Sequence, residues 1–160
     1  AWTQCLVVNL GVDRENISTC HWRYVYDEDL QVTRFNFPSM FGPNTTPPGC
    51  SSIQAEIYFS HKYRPMKQQP EAFIPIVKEE LRHCGILTND DNYLFENAWV
   101  SPFAQIIFDH ERKKSVDLIH EFLPEHGIYF GGRYADWSYA WSDQSFVRGE
   151  QGVENIINKV

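Results

Sequence analysis

The stretch SIQAEIYFS, residues 52–60, alternates without interruption: Ile53, Ala55, Ile57 and Phe59 fall on one side, and Gln54, Glu56 and Tyr58 on the other. A β-strand, whose side chains point to opposite faces with a period of two, buries the first set and leaves the second toward solvent or a cleft. The chain is thereby committed to a sheet with one covered face. The rest of the sequence must supply both the neighbouring strands and the cover.

Further segments read as strands. TQCLVVNL, residues 3–10, is rich in β-branched and apolar types, with Gly11 as its stop signal. HWRYVYD (21–27) and LQVTRFNF (30–37) flank an acidic turn and read as a hairpin. The proline-rich stretch 38–52 is an ordered loop or lid between strands, because proline removes donors and restricts its neighbours. Residues 90–108 read as one or two strands interrupted near Ser101-Pro102, and IYFGG (128–132) as a short apolar strand.

Three helices complete the pattern. The first runs from Pro70 to Cys84, with Phe73, Val77, Leu81 and Cys84 at helical spacing and Gly85 as its stop; Pro75 lies in its first turn, or the regular helix begins there. The second starts near Glu111, carries Val116, Ile119, Phe122 and Leu123, and ends near Gly127. The third starts near Asp143, with Ser142 or Asp143 as cap, and bears an apolar stripe of Phe146, Val153, Ile156, Ile157 and Val160. Gly149 and Gly152 weaken that helix by roughly 1 kcal/mol each relative to alanine, which points to loose structure or to a backbone or ligand in close approach. The fold class is α+β: an antiparallel or mixed sheet with three main helices packed mainly on one side. Residues 1–160 read as a single domain.

Charge excludes several roles. The 21 acidic residues outnumber the 14 basic ones, giving a formal net charge of −7 without a long run of either sign. Nucleic acid and anionic membranes require a basic footprint, so neither is an expected partner. No run of 18 apolar residues spans a membrane, and the start lacks a secretory leader. Cys5, Cys20, Cys50 and Cys84 are widely spaced with no CxxC, which reads as cytosolic thiols and places the protein in the cytoplasm. The six histidines show no metal-ligand spacing, and no HExxH, P-loop or GxSxG motif occurs, so no metal is expected.

The segment GGRYADWSYAWSDQSFVRGEQG, residues 131–152, is the least ordinary part of the chain. A glycine turn before a helix start suits an anion, because free N–H groups and the helix dipole favour negative charge there. Arg133 adds a forked cation, and Trp137, Tyr139 and Trp141 add planar faces with polar handles. The same residues also suit a simpler role, in which the aromatics fill a core between sheet and helix and Asp143 is an ordinary cap.

This segment, continued to Ile156, resembles the C-terminal flavin-contacting signature of the amine-oxidase-like FAD oxidoreductase superfamily. The order LVVNLGV, HWRYVYDEDLQVTRFNFPSMFGP and GCSSIQAEIYF is similar to the β-rich substrate domain of such enzymes. The resemblance implies that Gly132 and Arg133 form the turn approaching the cofactor, with Trp137 and Tyr139 as an aromatic wall. It also implies that Asp143 is the acidic residue at the helix start, with Ser145 and Gly149 in the tightly packed turns that follow. Glu56 and Tyr58 would then line the substrate cleft; otherwise they belong to a plain exposed sheet face.

No GxGxxG occurs anywhere, although enzymes of this kind bind the dinucleotide pyrophosphate through it. The chain therefore reads as the distal portion of an FAD-dependent oxidoreductase, inactive and without tightly bound FAD when alone. A separate Rossmann-type chain would complete it. The alternative is a non-enzymatic binding or self-associating module derived from that scaffold, covering its old interface as a homodimer.

Overall fold

In the computed structural model, which describes residues 1–157, the alternating stretch forms strand β4 (Ser51–Phe59), and its apolar set is fully or nearly fully buried. Strand β1 (Gln4–Val12) pairs with β4 on one edge and with β5 (Tyr93–Ser101) on the other. Short strands β2 (Trp22–Tyr24) and β3 (Arg34–Asn36) extend the sheet beyond β4, in the order β2-β3-β4-β1-β5. Every pairing is antiparallel. The fold is α+β, with this sheet and three α-helices: α1 (Ile74–His83), α2 (Arg112–Glu125) and α3 (Ser142–Ile157). The chain divides into two compact units, one of residues Thr3–Ala104 and one of Ala1–Trp2 with the described residues from Gln105 onward.

The sheet unit holds a continuous apolar core. Leu6, Val8 and Leu10 of β1, Phe35 of β3, Ile53 and Ile57 of β4, and Val77 and Leu81 of α1 are at most 1% exposed. Helix α1 follows a 3-10 turn at Pro70–Phe73, has Pro75 in its first turn, and is terminated at Gly85, whose φ of +66° suits glycine. Gly11, expected to stop the first strand, lies inside β1 instead. An added Cβ there would sit 3.3 Å from the Phe95 Cβ on β5, so the glycine admits close cross-strand approach where the register shifts.

The expected hairpin forms with only three residues in each strand. The reason lies in α1. Glu80, 6% exposed, accepts the N–H groups of Gln31 (2.8 Å) and Val32 (2.9 Å) on its two carboxylate oxygens. These donors would otherwise face a strand partner, so a carboxylate from the helix replaces part of the ladder. It also ties the β2–β3 connection to the core.

In the second unit, Gly127, at φ +73°, follows the end of α2 and terminates it. Residues 128–132 form no strand: Phe130 and Gly131 lie instead against the backbone of α3. Helix α3 begins at Ser142 rather than being capped by it, and the preceding Trp141 donates its N–H to the Gln144 side chain (3.1 Å), one half of a capping box. The apolar stripe of α3 is exposed, with Phe146 at 77% and Ile157 at 68%. Its expected last member, Val160, lies outside the described residues.

Glu80→Ala is expected to destabilise the protein by about 3 kcal/mol, because the buried Val32 N–H and the part-buried Gln31 N–H lose a charged acceptor. Glu79→Ala, on an exposed neighbour, is expected to change stability by less than about 0.5 kcal/mol. Urea denaturation midpoints of the two variants test the contrast.

Candidate functional site

In the helical unit, the turn from Gly131 to Trp141 leads into α3, and turn and helix meet backbone to backbone. An added Cβ at Gly131 would lie 2.7 Å from the Arg148 carbonyl oxygen, and one at Gly152 would lie 3.3 Å from that of Phe130. Of the two readings of the helix glycines, Gly152 follows close backbone approach. Gly149 has nothing within 4 Å of its added Cβ and faces open space.

Side chains of α2 and α3 hold the turn from outside it. Arg112 donates from Nε to the Trp137 carbonyl (2.5 Å) and from Nη2 to the Asp136 carbonyl (2.9 Å). Arg148 pairs with Asp136 (3.1 Å) and bonds the Ser138 hydroxyl. The His120 Nε2 lies 3.1 Å from the Ala135 carbonyl oxygen. These contacts fix Trp137 at φ +43°, a left-handed conformation that costs a bulky residue about 1–3 kcal/mol.

The singled-out residues separate into two groups within this unit. Gly132, at φ +100°, has open space beside it. Arg133 bonds Gln105 (2.5 Å) and the Ala140 carbonyl (3.4 Å), and its guanidinium lies over the half-exposed Tyr139 ring at 5.3 Å. Tyr139 in turn meets Trp141 edge-on, with centroids 6.3 Å apart. Trp137 belongs elsewhere: its ring packs edge-on against Trp2 (6.1 Å) and lines a largely apolar cavity of about 460 Å³ with Arg112, Val116, His120 and Phe130. Asp143 is exposed in the first turn of α3, and Ser145 closes that turn with a 2.9 Å bond to the Trp141 carbonyl.

In the sheet unit, Glu56 and Tyr58 lie on the sheet face opposite the core. The strand register lines up side chains across this face. One row runs Trp22, Asn36, Gln54, Asn9, Asn97, and the next runs Tyr24, Arg34, Glu56, Val7, Trp99. Glu56, only 6% exposed, accepts from Arg34 (2.6 Å), Asn36 (2.9 Å) and the Tyr58 hydroxyl (2.9 Å). Burial acts against the Arg34 cation, but the bond and charge of Glu56 outweigh it and hold the guanidinium above its ordinary value. Burial, reinforced by Cys5 and Glu56, raises the Tyr58 phenol, which stays a donor. Burial and the Glu56 charge push the neighbouring Cys5 thiol up to about 12.

Arg112, Arg148 and Gln105, which shape the turn, had no motif to announce them. The four aligned amides were equally silent, since only strand register brings them together. Among the described residues, no three His, Cys, Asp or Glu side chains converge as a metal site would require. All four cysteines are free thiols, and no described helix is long and apolar enough to cross a membrane.

The α+β fold has a counterpart among solved structures. The crystal structure of reduced UDP-galactopyranose mutase matches 100% of this chain with a TM-score of 0.89 and 19% sequence identity. The chain spans 34% of the length of that structure. No protein-family model and no curated protein matches the sequence.

Gly131→Ala is expected to destabilise the helical unit by about 1–3 kcal/mol, because its methyl meets a carbonyl that belongs to a helix backbone. Gly149→Ala, with open space and a helical backbone, is expected to stabilise by up to about 1 kcal/mol. Thermal denaturation of the two variants gives opposite signs if the backbone contact is as described.

Proposed function

We propose that this chain supplies the substrate side and one flavin wall of an FAD-dependent oxidoreductase of the amine-oxidase-like superfamily, completed by a dinucleotide-binding half. The observation that carries this reading is the match of the whole chain to about a third of a larger enzyme, UDP-galactopyranose mutase. The dinucleotide-binding half is a separate Rossmann-type chain or another part of a longer polypeptide.

The residues fit one wall of a ring system and not a dinucleotide cradle. Tyr139 and Trp141 present exposed aromatic faces, Arg133 lies over Tyr139, and Gly132 leaves room beside the turn. Asp143 occupies the first turn of α3 and competes there with any phosphate for the helix dipole. Gly132, Arg133, Tyr139, Asp143, Ser145 and Gly149 would contribute to this wall, and Trp137 would brace it from behind. When bound, FAD supplies two-electron redox chemistry. The chain's own part is to shape the ring end, and Glu56 and Tyr58 belong to the substrate side.

A second reading is favoured by the exposed Phe146, Val153 and Ile157 on α3 and Leu118 and Phe122 on α2. An apolar surface of this kind suits a self-associating module without enzymatic activity.

Titration of the purified chain with FAD tests the first reading. Saturable quenching of flavin fluorescence with a dissociation constant on the order of 10 µM is expected, weakened about tenfold by Tyr139→Ala. Absence of saturation, together with a stable homodimer by light scattering, would establish the second reading instead.

A further inference from the structure

The polar face of the sheet has a composition that neither the flavin wall nor the core requires. Asn36, Gln54, Asn9 and Asn97 stand side by side on four adjacent strands. Asn97 is exposed and the other three are half-buried. Four inter-strand spacings of about 4.8 Å separate β2 from β5, so the floor is about 19 Å wide. Aromatic residues occupy both margins of this face. Trp22 and Tyr24 on β2 are 49% and 51% exposed, and Trp99 and Phe95 on β5 are 47% and 58% exposed.

The charge on these two rows cancels. Arg34 and Glu56 are bonded to each other, and the remaining members of the two rows are neutral. A diphosphate or a carboxylate ligand therefore finds no uncommitted cation there. Each amide offers both donors and acceptors. Gln54 donates to Asn9 (3.2 Å) and Asn36 donates to Glu56, which leaves further hydrogen-bonding capacity on all four. A peptide is a poor match, because peptide strands bind through backbone groups at sheet edges, and the backbone groups of β3, β4 and β1 are already held in the ladder. A ligand with many uncharged hydroxyls, each both donor and acceptor, and with apolar ring faces for the aromatic margins, satisfies floor and rims together.

We propose that the polar sheet face is a binding trough for an uncharged oligosaccharide, with the Asn9, Gln54, Asn36 and Asn97 amides as floor and Trp22 and Trp99 as stacking rims. The proposal rests on the reading of this face as the substrate side. It does not depend on flavin binding.

Calorimetric titration of the full chain with cellotetraose and with chitotetraose, alongside UDP and inorganic pyrophosphate, tests it. One tetrasaccharide is expected to bind saturably with a dissociation constant below about 10 mM. Trp22→Ala and Trp99→Ala, exposed positions whose folding is checked by circular dichroism, are each expected to weaken that binding about fivefold or more. Failure of both tetrasaccharides to saturate, affinity unchanged in both tryptophan variants, or tighter binding of UDP or pyrophosphate to this face would overturn the proposal. Saccharide binding without FAD binding would overturn the flavin wall alone, and FAD binding without saccharide binding would overturn the trough alone.

Discussion

Strand β1 is hydrogen-bonded on both edges, to β4 and to β5, and the rest of the sheet unit depends on that double pairing. Its alternation sends Leu6, Val8 and Leu10 into the core and Cys5, Val7 and Asn9 to the opposite face. Because the side-chain period is two, a slip of one residue would exchange the two sets on the strand that slipped. The amide row, the Glu56 network and the seat of α1 are thus consequences of one register. Gly11 admits the close approach of β5 at the point where the β1–β5 register shifts, because a side chain there would meet Phe95.

What was legible in the sequence follows the distance over which each feature is decided. Strand β4 and helix α1 are set by local periodicity and by Pro75 and Gly85, and both stand where the pattern places them. The hairpin was legible as a hairpin, but its shortness was not, because Glu80 lies about 50 residues from the N–H groups it captures. Gly11 read as a stop because its purpose involves Phe95 on a strand far along the chain. Residues 128–132 have strand composition, yet Phe130 and Gly131 are taken up by a helix backbone.

The site divides in the same way. The glycine turn and helix start could be read from the segment itself, and the close pairing of Arg133 with Tyr139 is a matter of a few residues. The direction of the Trp137 ring could not, since it depends on Trp2 at the other end of the chain and on two bonds from Arg112. Those bonds mean that the turn has its shape before any ligand arrives. A turn held in this way avoids the ordering cost that a flexible loop would incur on binding.

Cys5 carries a practical consequence. Its thiol is buried between Tyr58 and Ser101 on the neighbouring strands and is pushed up to about 12, whereas Cys20, Cys50 and Cys84 are half-buried. Thiolate is the reactive species toward alkylating reagents, so Cys5 stays silent while β1 is seated between its neighbours. Once that strand leaves, the same sulfur becomes ordinary. The chain thus contains its own unlabelled reporter of sheet opening, placed at the strand on which the rest of the unit hangs.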